Sequence, residues 1–140
     1  MIYLLDTDII IYSIKAHETV QKNFRRYAQA PMYISVVTYG ELYFGAEKSK
    51  SPQKNLSTVQ RIGEIFPVID VTKSIMETFG RLKAGLGRKG NVLDDMDLII
   101  ASTAMTHNYT LVTNNEKHFR KIPDLQIENW SVTGSSSASG

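Results

Sequence analysis

Three acidic residues are the strongest candidates for chemistry, because each stands where a buried element of secondary structure would begin or end. Asp6 follows the apolar run Ile2-Tyr3-Leu4-Leu5, and Asp97 comes directly before the apolar run 98–105. Glu41 lies within a segment of helical spacing. Long stretches of chain separate the three, so only the fold can bring their carboxylates together. Converging carboxylates repel one another strongly unless a cation lies among them, so their convergence would indicate a metal site.

Oxygen ligands of this kind favour a hard divalent cation, Mg²⁺ or Mn²⁺, which keeps several waters and also binds substrate phosphate. Such a site hydrolyses phosphodiester bonds with a metal-activated water and needs neither a serine nucleophile nor a base triad. The chain contains no cysteine, which excludes thiolate zinc sites, iron–sulfur clusters, disulfides and cysteine nucleophiles. The three histidines, His17, His107 and His118, lack metal-ligand spacing and are predicted to lie at the surface.

Short apolar runs predict the strands that would position the acidic residues. These runs lie at residues 2–5, 32–34, 68–69, 110–113 and 125–127. Segments of helical spacing alternate with them. One of these is predicted to form a helix from Val36 to about Glu47, with Ser35 as its N-cap.

A further helix is predicted to start near Thr72 and to break at Gly85, Gly87 and Gly90 into a basic loop. Strands that alternate with helices predict an α/β fold, with a central, mostly parallel sheet of four to five strands flanked by helices on both faces. Ligands of such sheets bind beyond the carboxyl ends of the strands, where Asp6 would lie.

Length and composition predict one globular domain. The chain has 140 residues, 42% of them hydrophobic and 21% charged, and its net charge of +2 is too small to identify a nucleic-acid binder. Residues 1–132 are predicted to form the domain, and residues 133–140, rich in Ser and Gly, a flexible tail left by cloning or serving as a linker. No signal peptide and no apolar run of roughly 20 residues is present, which predicts a cytoplasmic protein without a membrane partner.

Four segments resemble, in order and spacing, the four motifs of PIN-domain ribonucleases of the VapC toxin type. They are Leu4–Asp8, Ser35–Leu42, Asp97–Ala101 and Leu111–Phe119, and the resemblance spans residues 1 to about 130. It implies a PIN-like three-layer fold and a Mg²⁺- or Mn²⁺-dependent endoribonuclease, with tRNA or another structured RNA favoured as substrate.

The resemblance also implies roles for individual residues. Asp6, Glu41 and Asp97 become the catalytic, metal-binding carboxylates, and Asn115 becomes the fourth metal-site residue, where family members place Asp or Asn. His118 stands where some relatives carry an acid. Glu116 and Asp94 are additional candidate acids near the metal. Thr7 and Thr113 are candidate supporting residues, through their hydroxyl groups.

As partners, the resemblance implies a small antitoxin that inserts a segment into the active-site groove, as in type II toxin–antitoxin pairs, and a homodimer. Around Glu41, the residues Tyr39, Leu42, Tyr43 and Phe44 give more apolar surface than one helix face can bury, which favours a partner or dimer surface. The candidate phosphate contacts are Arg25, Arg26, Lys48, Lys50, Lys54, Arg81, Lys83, Arg88, Lys89, Arg120 and Lys121.

Structural roles are the alternative interpretation of the same acids. Asp6 or Asp8 would serve as a helix N-cap, Glu41 as a solvated helix residue, and Asp97 as a first-turn acid favoured by the helix dipole. Asn115 and the residue after it would merely turn the chain.

Two alternative functions remain at this point. A receiver-like phosphoacceptor also gathers acids around Mg²⁺ at the edge of a parallel sheet, and Asp70 would close its third strand, but no Lys follows the 125–127 strand. A catalytically silent PIN-like module would act by binding RNA or its partner, and metal-dependent turnover distinguishes it from the nuclease.

Overall fold

Parallel strands form the centre of the computed structural model, which describes residues 1–133. Within that range the five strands are β1 (Tyr3–Leu5), β2 (Met32–Ser35), β3 (Val68–Ile69), β4 (Thr110–Val112) and β5 (Ile127–Glu128). They form one sheet in the order β3-β2-β1-β4-β5, and every neighbouring pair is parallel. The predicted α/β fold is confirmed. The predicted tail lies outside the described residues except for Thr133, so the domain boundary stays a prediction.

Seven helices connect and cover the strands within residues 1–133. They are α1 (Thr7–Ile14), α2 (Glu18–Arg26), α3 (Val36–Glu47), α4 (Pro52–Ile65), α5 (Lys73–Arg88), α6 (Asp95–His107) and α7 (Glu116–Phe119). As predicted, Ser35 caps α3, and its hydroxyl accepts a hydrogen bond from the Val37 N–H (3.0 Å). None of these helices is long and apolar enough to cross a membrane.

β1 lies at the centre of the sheet and is buried on both faces, which explains its continuous apolar sequence. Tyr3 and Leu5 pack into a core on one face with residues of α1, α2, α3 and α4. Leu4 packs into a second core on the opposite face with residues of α5, α6 and α7. The two cores make the fold three-layered, and they fix the end of β1, where Asp6 follows.

One local prediction was wrong, and one short helix was not predicted. The helix predicted to break at Gly85 continues as α5 to Arg88, and positive φ (74°) is reached only at Gly90. Helical glycine costs about 1 kcal/mol, which the burial of Leu86 in the second core offsets. After the turn that follows β4, the chain forms the short helix α7, which the sequence did not predict and whose Phe119 is fully buried.

The C-terminal end of the described chain packs into the first core through Trp130. Its side chain is 1% exposed, its ring lies 5.0–5.3 Å from those of Tyr3, Phe24 and Tyr27, and its Nε1–H donates to Glu128 (3.0 Å). We therefore expect Trp130→Ala to lower the free energy of unfolding by about 3–5 kcal/mol in urea denaturation.

The matched control for this substitution is Ile65→Ala, because Ile65 is 57% exposed. Its effect is expected to stay within about 0.5 kcal/mol, as for most surface substitutions. Equal stability of the two variants would show that Trp130 does not anchor the C-terminal strand.

Candidate active site

The edge formed by the carboxyl ends of β1, β2 and β4 is the point where the chain changes direction across the sheet. From β1 the chain adds β2 and β3 on one side, then returns to place β4 on the other side of β1. Such a switch point opens a crevice in which parallel α/β proteins bind ligands. Asp6 and Thr113 follow β1 and β4 there, and α3, which carries Glu41, starts at the end of β2.

Asp6 is the most buried acid at this edge, with 5% of its surface exposed. Its Oδ1 accepts from the Thr7 N–H (2.8 Å), which caps α1, and its Oδ2 accepts from the Thr113 hydroxyl (2.7 Å). The N-cap alternative is therefore correct in part, because capping uses one oxygen while the other is held by β4. Both donors fix the carboxylate at the mouth of the crevice.

Glu41 is held by the residue that follows Asp6. The Thr7 hydroxyl donates to Glu41 Oε1 (2.6 Å) and also lies 3.0 Å from the Thr38 hydroxyl. This contact joins the first turn of α1 to the middle of α3, so Asp6 and Glu41 are neighbours in space. Glu41 is only partly exposed, which argues against a purely solvated helix residue.

Asp97 lies in the first turn of α6, and Asp94 is the N-cap of that helix. Asp94 Oδ2 accepts from the N–H groups of Met96 (3.1 Å) and Asp97 (3.4 Å), so its carboxylate is occupied by capping. Asp97 is half-buried and close enough to Asp6 and Glu41 for their charges to act on it. The structure thus places the three acids chosen from the sequence at one edge of the sheet, within range of one another's charge.

The turn after β4 holds its polar side chains in a network. Glu116 Oε1 pairs with Arg120 (2.6 Å) and its Oε2 accepts from Asn129 (2.8 Å). The Asn115 side-chain amide lies 3.0 Å from the His118 ring, and the Asn115 N–H donates to the Thr113 hydroxyl (3.0 Å). Both oxygens of Glu116 are therefore engaged away from Asp6.

Asp8 also lies at this edge of the sheet, although the sequence indicated only a helix N-cap for it. Its Oδ2 accepts from the Asn114 N–H (3.1 Å) at the end of β4, and its charge acts on Asp6. The signal in the sequence was the spacing: Asp8 follows Asp6 by two residues on a short turn into α1. It was missed because the N-cap role explained either acid, whereas the structure gives that role to Asp6.

Burial and mutual repulsion raise the pKa values of three of these acids. Burial, followed by the charge of Asp8, raises the pKa of Asp6 to about 7 against the hydrogen bonds from Thr113 and Thr7. Burial raises the pKa of Asp8 to about 6, opposed by the Asn114 N–H. Burial and then the charge of Asp6 raise the pKa of Asp97 to about 6. All three shifts have the direction expected for negative charges that are buried near one another without a cation.

The chemistry of the donors fits a hard divalent cation, because all of them are carboxylate oxygens. One of them, Asp8 Oδ1, is buried without a hydrogen-bond partner among the described residues. The same part of the chain holds no group of three His, Cys, Asp or Glu side chains already close enough to ligate a metal. The acids are thus gathered at one edge, but they are not drawn together around a single point.

Several of the basic candidates for phosphate contact have other partners. Arg120 pairs with Glu116, and Lys83 pairs with Asp95 (3.0 Å). The Arg26 guanidinium lies over the Tyr27 ring (5.2 Å). These interactions are on the surface, so they contribute little to stability and do not prevent contact with phosphate.

Of the apolar residues around Glu41, some are buried in the protein and others are exposed to solvent. Leu42 is buried in the first core, and Tyr39 contacts Gly63 of α4, where a Cβ would meet the Tyr39 ring at 2.7 Å. Phe44 is 64% exposed and Tyr43 is 37% exposed. The exposed part of α3 is therefore the part available to a partner.

The receiver-like alternative does not match the topology. β3 is an edge strand, separated from β1 by β2, and Asp70, which follows it, is exposed. A phosphoacceptor at Asp70 would lie away from the buried acids around Asp6.

Comparisons with known proteins agree with this arrangement. The PIN domain family matches residues 3–125. Ribonuclease VapC2 of Rickettsia felis is 38% identical over 132 residues, 93% of this chain and 98% of that protein. The tRNA(fMet)-specific endonuclease VapC of Shigella flexneri is 33% identical over 129 residues, 92% of this chain and 98% of that protein. The crystal structure of VapBC2 from Rickettsia felis bound to a promoter DNA fragment superposes with a TM-score of 0.87 at 37% identity, covering 93% and 99% of the two chains.

Proposed function

Because this chain belongs to the PIN-domain family of VapC ribonuclease toxins, we propose that it is a divalent-metal-dependent endoribonuclease whose site is the acidic edge of the sheet. The observation that carries this proposal is the set of buried carboxylates with raised pKa values at the switch point of the sheet. A fold tolerates such repulsion where a cation and a substrate phosphate offset it.

Asp6, Glu41 and Asp97 are the residues that would hold Mg²⁺ or Mn²⁺. A bound cation would supply polarisation of the phosphodiester and activation of a water molecule as the nucleophile. The hydroxyl groups of Thr7 and Thr113 position Glu41 and Asp6, because each donates a hydrogen bond to a carboxylate oxygen. Asn115 and Glu116 are kept as weaker metal-site candidates, since their side chains already bind His118, Arg120 and Asn129.

The test is the cleavage of total cellular RNA by purified protein, with Mg²⁺ or Mn²⁺ and with EDTA. We expect discrete fragments that disappear with EDTA and that fall by about 100-fold or more with Asp97→Asn, since a lost ligand removes several kcal/mol of metal stabilisation. Asp70→Asn is the control, because it removes one exposed carboxylate outside the site.

If the folded parent, free of any bound antitoxin, cleaves nothing with either metal, the nuclease proposal fails. The silent PIN-like module then becomes the better explanation. If cleavage persists in EDTA, an RNA-cleaving enzyme remains but its metal dependence is lost.

For the substrate we propose tRNA or another structured RNA. The support is the Shigella relative, whose name gives tRNA(fMet) as its target at 33% identity. Recognition of a structured loop depends on groove shape and splayed bases, which differ between relatives. End mapping of the fragments from total RNA identifies the cleaved molecule directly.

For partners we propose a cognate antitoxin and a second copy of this chain. The similarity to a VapBC structure supports the first, and the exposed Phe44 and Tyr43 of α3 offer an apolar surface beside Glu41. An antitoxin segment that lies over this surface would cover the site and exclude RNA.

A further inference from the structure

We propose that Asp8 is a further metal ligand of this site, and that its Oδ1 binds the cation together with Asp6, Glu41 and Asp97. This inference rests on the proposed function and extends it, because none of the roles derived from the sequence places Asp8 at the metal. Asp8 would add a fourth negatively charged ligand to the site. The turn after β4 offers only the neutral amide of Asn115, because both carboxylate oxygens of Glu116 already bind Arg120 and Asn129.

The two carboxylate oxygens of Asp8 differ in their hydrogen bonding. Oδ2 accepts from the Asn114 N–H (3.1 Å), whereas Oδ1 is buried and has no hydrogen-bond partner among residues 1–133. The Ile9 N–H donates to the Asp6 carbonyl oxygen (3.1 Å) and the Thr113 hydroxyl donates to Asp6 Oδ2 (2.7 Å), and both groups also lie close enough to Asp8 to favour its charged form. A buried carboxylate oxygen without a donor is costly, and buried polar atoms left in this way need an explanation such as a bound ion.

Asp8 also lies near two of the proposed metal ligands. The charge of Asp8 acts on Asp6, and the charge of Asp97 acts on Asp8, so Asp8 stands within range of two of the proposed ligands. Capping of α1 is already performed by Asp6. A role for Asp8 that is limited to the helix dipole would need neither a buried carboxylate oxygen nor these like-charged neighbours.

Asp8 is kept in place by a donor that is itself held by hydrogen bonds. Asn114, its donor, is held by its own side chain: Oδ1 accepts from Asn129 (3.2 Å), and Nδ2 donates to the Tyr12 hydroxyl (3.1 Å). Ser131 also lies 2.7 Å from Asn114 Oδ1. The Asp8 carboxylate is therefore oriented, through Asn114, by α1 and by the segment that follows β5, and metal ligands are usually supported by such hydrogen bonds.

The experiment is a calorimetric titration of Mn²⁺ into the RNA-free protein, with the parent and Asp8→Asn compared. The substitution keeps the size of the side chain and an oxygen that accepts from Asn114, and it removes one charge. We expect it to weaken Mn²⁺ affinity by about tenfold or more. Thermal unfolding in EDTA should show Asp8→Asn at least as stable as the parent, because a repelling charge has gone.

The matched control is Asp124→Asn. Asp124 is exposed, lies in the loop that leads to the amino end of β5, and has φ 67°, a conformation that Asn adopts readily. This variant removes the same charge far from the carboxyl edge, and its Mn²⁺ affinity should equal that of the parent.

Unchanged Mn²⁺ affinity in Asp8→Asn, with a parent that binds Mn²⁺ and cleaves RNA, overturns the assignment of Asp8 and leaves the proposed function intact. Equal weakening in Asp8→Asn and Asp124→Asn also overturns it, because net charge alone would then explain the effect. A parent that neither binds Mn²⁺ nor cleaves RNA overturns the proposed function and the assignment together.

Discussion

Asp6→Asn is expected to lose about 100-fold or more of RNA cleavage and, in the absence of metal, to resist unfolding better than the parent. Activity falls because the most buried of the proposed ligands loses its charge while its shape stays the same. Stability rises because the pKa of Asp6, raised to about 7 by burial and by the charges of Asp8 and Glu41, shows that the ionised form is disfavoured in the fold.

The sign of the stability change follows from the two states of Asp6. The unfolded chain ionises Asp6 near its ordinary pKa of 3.8, and the folded chain near 7. Below both values the carboxyl is neutral in both states, so the substitution changes little. As the pH rises from 4 to 7 the parent loses stability that the variant keeps, and above 7 the difference is complete, on the order of 4 kcal/mol.

Urea denaturation of the two proteins in EDTA, at low and at high pH, measures this difference. Saturating Mg²⁺ should reverse the order at high pH, because a cation that binds only the folded parent stabilises it by mass action. If Asp6→Asn cleaves RNA as the parent does, Asp6 is not a ligand, whatever its effect on stability.

The second large effect is a competition between protons and metal. We expect cleavage at limiting Mg²⁺ to fall by about 100-fold or more between pH 8 and pH 5.5, more steeply than one titrating group allows. Three carboxyls have pKa values raised to about 7, 6 and 6, so at the lower pH each of them is wholly or partly protonated. A cation must displace these protons in order to bind.

Excess Mg²⁺ provides the decisive comparison for this pH effect. Raising the metal concentration at pH 5.5 should restore much of the activity, since metal and protons compete for the same oxygens. A pH profile that is the same at limiting and at saturating Mg²⁺ would mean that another group, outside the metal site, controls the rate.

The elements closest to the site could be predicted from the sequence because local signals agreed with the fold. The bounds of α3 were predicted from Ser35 and the helical spacing after it, and the buried β1 from its apolar run. The gathering of Asp6, Glu41 and Asp97 depended on the resemblance, because no local pattern states which elements are neighbours. The placement of β4 next to β1 is a tertiary outcome of this kind.

What the sequence did not predict was decided by packing. α5 continues through Gly85 because Leu86 is buried, and α7 forms because Phe119 is buried against the second core. The role of Asp8 depends on the Asn114 N–H, which lies 106 residues away along the chain. Hydrogen bonds of this range cannot be read from spacing.

The hydrogen bonds from the last two strands also determine when the site can exist during synthesis. Thr113 and Asn114, which hold Asp6 and Asp8, follow β4, and Asn129, which holds Asn114, follows β5. A chain still being translated folds from its amino end, so it presents these acids long before their donors have left the ribosome. The site is therefore completed only after the segment through Ser131 has left the ribosome.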